Sequence, residues 1–366
     1  MENIFTYLRW RGDLSFTQSP FCEVDALVLA RLSYIPFEGF VEGDFAHTTP
    51  LGEMAADFLR QPDADKRVLM QNDITLLRMI AENRRFRDVR LCGYRNLRDA
   101  GQEMQFSAVT FVLPTGETVV AYRGTDDTIV GWKENFNMAF ASPVPAQLKA
   151  ADYVNRAGET THKPLIVCGH SKGGNLAVYG ASFCRPEVQD RITAVYSYDG
   201  PGLTPEQAAS PEHTRLMPRI QVMIPRGSFV GTLFEQTDDV IYVESDAVGL
   251  MQHYSYNWQV EGMGFVLAKK PTDPSAFMTG AMRDLIHSMS IEERRMFVEA
   301  LYSILAASEA TNLVTLFDEW QVRSLKMLRY YRNLDKPTRD LLIQITRKFL
   351  KAAAAQARFP LPEAKQ

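Results

Sequence analysis

The chain has 366 residues, of which 46% are hydrophobic and 23% charged, and its formal net charge at pH 7 is −4. This is the composition of a globular protein with a large buried core, and the length allows one large α/β domain with an appendage as well as two or three domains. Basic and acidic residues are spread along the chain, which argues against nucleic-acid binding and against an acidic tail.

The sequence gives no sign of a membrane span or of an oxidising compartment. Its N-terminal residues lack the charged start and apolar core of a secretory signal, and no apolar run approaches the ~18 residues of a spanning helix. The four cysteines lie far apart without a C-x-x-C spacing, so we expect neither a metal site nor a disulfide. These features predict a cytoplasmic protein.

Helices and strands alternate along the first three quarters of the chain. Residues 23–34 predict an amphipathic helix, and residues 51–90 predict further helices. Residues 106–124 predict two strands joined by the turn Pro114-Thr115-Gly116, and a helix near 147–157 follows. Further strands are predicted over 165–168, 191–200, 219–228 and 238–247. This alternation predicts an α/β fold with a doubly wound, mostly parallel sheet.

The last hundred residues differ, because they predict only helices. The stretch 268–275, "AKKPTDPS", interrupts the α/β pattern and marks a boundary. Beyond it, Ser290 and Glu293 form a capping-box signature, and three apolar stripes follow at helical spacing. The stripes are Phe297, Leu301, Ile304 and Leu305, then Leu313, Phe317 and Trp320, then Leu341, Ile345 and Phe349. We expect a domain over 1–270 and a helical subdomain over 271–366.

The stretch 164–182, "PLIVCGHSKGGNLAVYGAS", is the most informative part of the sequence. A buried strand precedes Ser171 and a helix follows it, while Gly169 and Gly173 flank it in the pattern G-x-S-x-G. Small neighbours are needed where a strand turns into a helix within a few residues, so the pattern predicts a nucleophile elbow. The alternatives are a glycine-rich turn with an incidental serine and a phosphate-binding loop.

A serine nucleophile needs a base and donors for an oxyanion. The N–H group of Lys172 follows the nucleophile, and the loop after the strand ending at Tyr122 offers Thr125; the alternative there is a plain turn capped by threonine. Of the six histidines, His253 follows the last predicted strand and is the preferred base, the alternative being a structural histidine. His213 lies in a Pro-rich connection that we expect at the surface.

Taken together, these motifs resemble class 3 (fungal-type) lipases and, more closely, an uncharacterised bacterial family of lipase-like α/β-hydrolases. The resemblance covers about residues 100–260 and also the first twenty or so residues. It rests on Tyr122-Arg123-Gly124-Thr125 with Trp132, Gly169-His170-Ser171-Lys172-Gly173-Gly174, Asp199-Gly200-Pro201-Gly202, and Gln252-His253 before Trp258. It implies an α/β-hydrolase fold, Ser171 as nucleophile, His253 as base, and Thr125 with Lys172 as oxyanion hole, without metal or cofactor.

The sequence departs from class 3 lipases at the triad acid. Ser228 stands where those lipases carry the aspartate, and Asn135 stands where they usually carry another. Asp199 lies where other α/β-hydrolases, such as pancreatic-type lipases, place the acid. We expect it to hold His253, with Ser228 as a second partner. A turn-forming role for Asp199 stays open, as do Asp238, Asp239 or no acid.

The functional expectation is a serine hydrolase that cleaves a small-molecule carboxylic ester through an acyl-enzyme. Thioesterase or amidase activity would use the same groups. A degenerate hydrolase that binds a partner protein is the alternative from another class. No interfacial amphipathic helix stands out in the sequence, which favours soluble or single lipid molecules over bulk lipid as substrate.

Overall fold

The computed structural model describes most of the chain. The described residues are 2–125, 134, 137–138, 143–228, 230–232, 236, 239–272, 276–277, 280–281, 284–285, 288–308 and 320–358. Asn135, Trp132, Asp238, Leu313 and Phe317, which the sequence analysis singled out, lie outside these residues. The chain divides into two compact units, one of Met1–Asp126 with Pro145–Pro271 and one of Asp127–Val144 with Thr272–Gln366.

The first unit is built on one large sheet. Its strands are β1 (Thr49–Pro50), β2 (Arg90–Asp99), β3 (Met104–Val112), β4 (Thr118–Tyr122), β5 (Leu165–His170), β6 (Ile192–Tyr198), β7 (Ile220–Pro225) and β8 (Val240–Val243), while β9 (Val260–Glu261) and β10 (Gly264–Phe265) form a separate pair. The eight strands are ordered as in the sequence, with antiparallel pairs from β1 to β4 and parallel pairs from β4 to β8.

The helices of this unit precede the sheet or connect its strands. They are α1 (Ile4–Arg11), α2 (Glu23–Leu32), α3 (Leu51–Leu59), α4 (Ala64–Arg67), α5 (Gln71–Glu82), α6 (Pro145–Glu159), α7 (Lys172–Phe183), α8 (Pro186–Gln189), α9 (Pro205–Ala208) and α10 (Pro211–Leu216). Short 3-10 helices span Met217–Arg219, Val230–Thr232, Gly249–His253 and Ser255–Asn257.

Most predicted elements of this unit are confirmed within a few residues. The hairpin of β3 and β4 turns through Pro114-Thr115-Gly116, where Gly116 has φ 102°, a left-handed conformation that suits glycine. Strand β2 was not predicted. Its register shifts between Cys92 and Arg95, at Gly93 with φ 67°, and this bulge breaks the alternation by which a strand is recognised.

Both faces of the sheet are covered, but by different parts of the chain. Helices α1, α2, α3 and α5 share one core with Val119 and Ala121 of β4, whereas α6 and α7 share the other with Val120 and Tyr122. Successive crossovers that run in one direction place their helices on one face. The described crossover helices therefore cover one face of the sheet, and the N-terminal helices cover the other. A doubly wound sheet, as predicted from the sequence, would have crossover helices on both faces. The mixed, mostly parallel sheet is compatible with an α/β-hydrolase-like fold.

The second unit is described through helices α11 (Ile291–Ala307), α12 (Trp320–Asn333) and α13 (Lys336–Arg358). The predicted capping box at the start of α11 is present, because Ser290 N donates to Glu293 Oε2 at 2.8 Å and Glu293 N donates to Ser290 Oγ at 3.1 Å. The third predicted stripe packs as expected: Leu341 and Ile345 are buried with Leu285 and Met289.

Candidate active site

Ser171 occupies the turn between β5 and α7. Its backbone has φ 60° and ψ −134°, which is costly for a residue with a side chain and is typical of strained functional positions. A Cβ atom at Gly169 would lie 2.1 Å from the Gly173 carbonyl oxygen, and one at Gly173 would lie 2.2 Å from the Tyr122 carbonyl oxygen. The turn thus needs the two flanking glycines, as the pattern predicted.

Asp199 follows β6 as Ser171 follows β5, and the two strands are parallel neighbours. His170 and Tyr198 pair in register at their ends, and Ser171 N donates to the Tyr198 carbonyl oxygen at 2.9 Å. The two residues therefore leave the same edge of the sheet at the same level. Asp199 has φ 49°, so both turns hold a residue with a side chain in the left-handed region.

His253 ends the 3-10 helix that follows β8, and its ring contacts Asp199. The distance between His253 Nδ1 and Asp199 Oδ2 is 2.6 Å, and the aspartate side chain has no exposed surface. Asp199 Oδ2 also accepts from Ser228 Oγ at 2.6 Å, and Oδ1 accepts from Gly231 N at 2.9 Å. The carboxylate is thus held by three donors, and Nε2 is the His253 nitrogen left for a reacting group.

The competing acids are placed elsewhere or outside the described residues. Asp239 is described, and no hydrogen bond joins it to His253 among the described residues. Among the described residues, no hydrogen bond joins Ser171 Oγ to His253 Nε2. Such contacts are often long without substrate and tighten when it binds.

The loop after β4 lies directly against Ser171. A Cβ atom at Gly124 would lie 3.2 Å from Ser171 Cβ and 2.7 Å from the His170 carbonyl oxygen, so only glycine fits between them. Thr125 follows in the same loop. The Lys172 side chain is buried, and its Nζ donates to the Gln105 carbonyl oxygen at 2.6 Å, so the group it offers to the turn is its backbone N–H. That N–H belongs to the first residue of α7, directly after Ser171.

A buried pair that the sequence analysis missed, Tyr34 and His170, joins this loop to the His253 segment. His170 Nε2 is 2.8 Å from the His253 carbonyl oxygen, and the Tyr34 hydroxyl is 3.1 Å from His170 Nδ1. The same hydroxyl lies 3.2 Å from the His170 carbonyl oxygen and packs against Gly124, where a Cβ atom would lie 2.2 Å from it. One hydroxyl thus touches both the loop beside Ser171 and the ring that supports His253. No local pattern reports such a link, because it joins positions 34, 124 and 170.

Burial keeps His170 neutral. It lowers the pKa of this imidazole well below its usual value, and charge on His253 or Arg31 would lower it further. A carbonyl oxygen only accepts hydrogen bonds, so Nε2 carries the proton and Nδ1 is left to accept from the Tyr34 hydroxyl. His170 therefore forms a neutral bridge between Tyr34 and the His253 carbonyl oxygen.

Charged and aromatic side chains pack against the ring of Tyr34. The Arg31 guanidinium carbon lies 4.2 Å from the centroid of the Tyr34 ring and 4.8 Å from that of Tyr256. Arg31 pairs with buried Asp73 at 2.7 Å, and Asp73 also accepts from the Tyr256 hydroxyl. Helices α2 and α5 and the segment after His253 are thereby tied together beneath the site.

His213 is buried, contrary to the predicted surface position. Its Nδ1 lies 3.0 Å from Ser182 Oγ on α7, and burial lowers its pKa. The Pro-rich connection folds as α9 and α10, and Leu216 of α10 belongs to the same core as α7. Because His213 lies on α10 as well, the packing of this helix buries it. His213 and Ser182 form a second serine–histidine pair, but the serine has no exposed surface to meet a substrate.

Within the described ranges, no group of three or more His, Cys, Asp or Glu residues could hold a metal ion. None of the helices formed by those residues is long and apolar enough to cross a membrane.

A family model described as Mbeg1-like matches residues 80–303. That family is associated with lipase-like proteins. The match includes Thr125, Ser171, Asp199 and His253, and it leaves out Tyr34 as well as helices α12 and α13. No curated protein matches the chain.

Proposed function

The chain belongs to the Mbeg1-like family, and on that premise we propose that it is a serine hydrolase that cleaves carboxylic esters. The observation that carries the proposal is the 2.6 Å contact between His253 Nδ1 and the buried carboxylate of Asp199, at the sheet edge from which Ser171 emerges. A buried carboxylate orients the imidazole and stabilises the imidazolium as it forms. In this proposal residues 1–270 form a cytoplasmic hydrolase domain of α/β-hydrolase type and residues 271–366 a helical subdomain.

The reaction has two halves. Ser171 Oγ attacks the ester carbonyl carbon while His253 Nε2 takes the hydroxyl proton, and the oxygen of the tetrahedral intermediate accepts hydrogen bonds from Thr125 and the Lys172 N–H. The intermediate collapses, the bond to the alcohol oxygen breaks, and that oxygen takes the proton from His253. Water then attacks the acyl-serine, giving its proton to His253. The second intermediate releases the carboxylic acid and returns the proton to Ser171.

Labelling by a fluorophosphonate probe tests this proposal. The probe should label the wild-type chain, and Ser171→Ala should abolish labelling while the chain stays folded. Ser182→Ala is the matched control, because Ser182 also has a histidine beside it at 3.0 Å but is fully buried. Labelling that survived Ser171→Ala, or a wild-type chain that never reacted, would reject the proposal; the second result would favour the degenerate protein-binding hydrolase.

The same probe does not separate esters from thioesters or amides. An ester, a thioester and an anilide that share one acyl group separate these classes, because kcat/KM can be measured and compared for each. We expect the ester to be the best of the three. A preference for the thioester or the anilide would keep the serine mechanism and change the assigned substrate class.

A further inference from the structure

Helices α12 and α13 each expose apolar and basic side chains. The exposed residues are Val322, Leu325, Leu328, Arg329 and Arg332 on α12, and Ile343, Arg347, Leu350 and Lys351 on α13. On each helix most of these positions are three or four residues apart, so they share one side, called here the outward face. Leu325 is 57% exposed and Leu350 is 60% exposed, so neither belongs to a core.

The segment that forms α12 and α13 is strongly positive. Residues 320–358 contain ten Lys and Arg but only two Asp, in a chain whose net charge is −4. Asp340 pairs with Lys336 at 3.2 Å, and Asp335 accepts from the Thr338 N–H and hydroxyl. The described part of the chain supplies no ion pair to the four basic residues of the outward faces. Their charge is therefore available to an outside partner.

The exposed aliphatic residues of α13 are not core residues that failed to pack. On α13 the opposite side is occupied, because Leu341 and Ile345 are buried and Phe349 packs beside them. A single exposed leucine is ordinary on a protein surface. Five aliphatic residues that alternate with basic residues on two successive helices are the pattern of helices that lie in a lipid–water interface. This pattern was not predicted, because the Leu341 stripe indicates a core and the other side of α13 carries no pattern of its own in the sequence.

We propose that the outward faces of α12 and α13 bind the surface of an anionic phospholipid membrane. Lysine and arginine attract the acidic headgroups, and the leucine, isoleucine and valine side chains enter the boundary with the acyl chains. Nucleic acid would use the same charge but would leave the aliphatic residues without apolar partners. This inference goes beyond the proposed hydrolase activity and does not depend on it, since none of the residues assigned to the catalytic reaction belongs to either helix.

Cosedimentation of the full chain with lipid vesicles tests the inference. We expect binding to vesicles of phosphatidylcholine with phosphatidylserine to be about tenfold or more tighter than to phosphatidylcholine alone, and to weaken with added salt. Leu325→Glu with Leu350→Glu should weaken binding by about tenfold or more, because each removes an apolar contact and adds repulsion. Ser171→Ala should bind like wild type even if the hydrolase proposal fails.

The matched control is Leu148→Glu on α6, where the leucine is 55% exposed and lies outside the outward faces. It should leave vesicle binding unchanged, and circular dichroism should show all variants folded. Equal binding to both kinds of vesicle, no binding to either, or equal losses in the control and the double variant would overturn the inference. Tighter binding to duplex DNA or to polyglutamate than to anionic vesicles would overturn it in favour of an acidic macromolecule.

Discussion

The sheet edge around Ser171 buries a charged group, whereas the outward faces of α12 and α13 expose apolar groups. At the edge, a fully buried aspartate is surrounded by three donors at 2.6 to 2.9 Å. On the helices, leucines that are more than half exposed stand among basic side chains. Buried polar groups need partners within the fold, whereas exposed apolar patches indicate a partner outside it. The Asp199 carboxylate finds its partners within the chain, whereas the proposed partner of the outward faces lies outside it.

Replacing one carboxylate in each region gives the largest expected contrast. Asp199→Asn keeps the size of the side chain but removes the charge that holds His253, so we expect kcat to fall about 10⁴-fold. Asp340→Asn makes the same change in an exposed pair with Lys336 on α13, and exposed pairs contribute little. Its kcat should stay within about twofold of wild type.

The measurement is steady-state hydrolysis of a chromogenic ester, with thermal unfolding of both variants as a check of the fold. If Asp199→Asn kept kcat within about tenfold of wild type, Asp199 would not be the triad acid. Equal losses in the two variants would show that the assay reports general damage and not the geometry of the edge.

The sequence supports accurate prediction where the relevant pattern is local. Gly169 and Gly173 mark the turn at Ser171, and parallel strands share their carboxyl edge, so Asp199 could be expected beside His253 from topology. The contact is present, and its catalytic role stays a prediction. Strand β2 was missed because its bulge at Gly93 disturbs the alternation. Tyr34 was missed because its contacts depend on the packing of α2 and not on neighbouring residues.

The helical region shows a different limit. A stripe at helical spacing identifies a face, and for Leu341 and Ile345 that face is the buried one. Periodicity does not say whether a second apolar face is covered by the chain, by a partner or by nothing. The exposure of Leu325 and Leu350 could be learned only from the packed structure.

Acid should weaken the first unit through its buried histidines. His170 has its pKa lowered below the usual value of 6.5 in the folded chain, so the unfolded chain binds more protons as the pH falls below about 6.5. The free energy of unfolding should then fall by at most about 1.4 kcal/mol per pH unit from this residue. His213 acts in the same direction, and exposed His47, whose pKa Asp44 raises, acts in the opposite one. Helices α12 and α13 contain no histidine.

Urea unfolding at pH 7.5 and 5.5 measures this effect. His170→Gln should lose less stability on acidification than wild type, because the glutamine cannot be protonated. His162→Gln is the control, since His162 is exposed and should leave the pH dependence as it is. Identical pH dependence in wild type and His170→Gln would show that His170 does not cause the difference in proton binding between the folded and the unfolded chain.

The smallest expected effect tests whether the edge really depends on Tyr34. Tyr34→Phe removes the hydroxyl that lies 3.1 Å from His170 Nδ1 and 3.2 Å from the His170 carbonyl oxygen, and that packs against Gly124. Tyr153→Phe is the matched control, because its buried hydroxyl also has two partners, Thr110 and the Gly93 carbonyl, away from Ser171. Both changes should cost about 1 kcal/mol of unfolding free energy.

Only Tyr34→Phe should slow hydrolysis, by about tenfold in kcat, since only its hydroxyl joins the loop beside Ser171 to the segment of His253. The KM should change less than kcat, because the lost bonds set the geometry of reacting groups and not the surface that binds the substrate. If the two variants lost stability equally and kcat not at all, the hydroxyl would be a structural bond like that of Tyr153. The edge would then be held by Asp199 and the two turns alone.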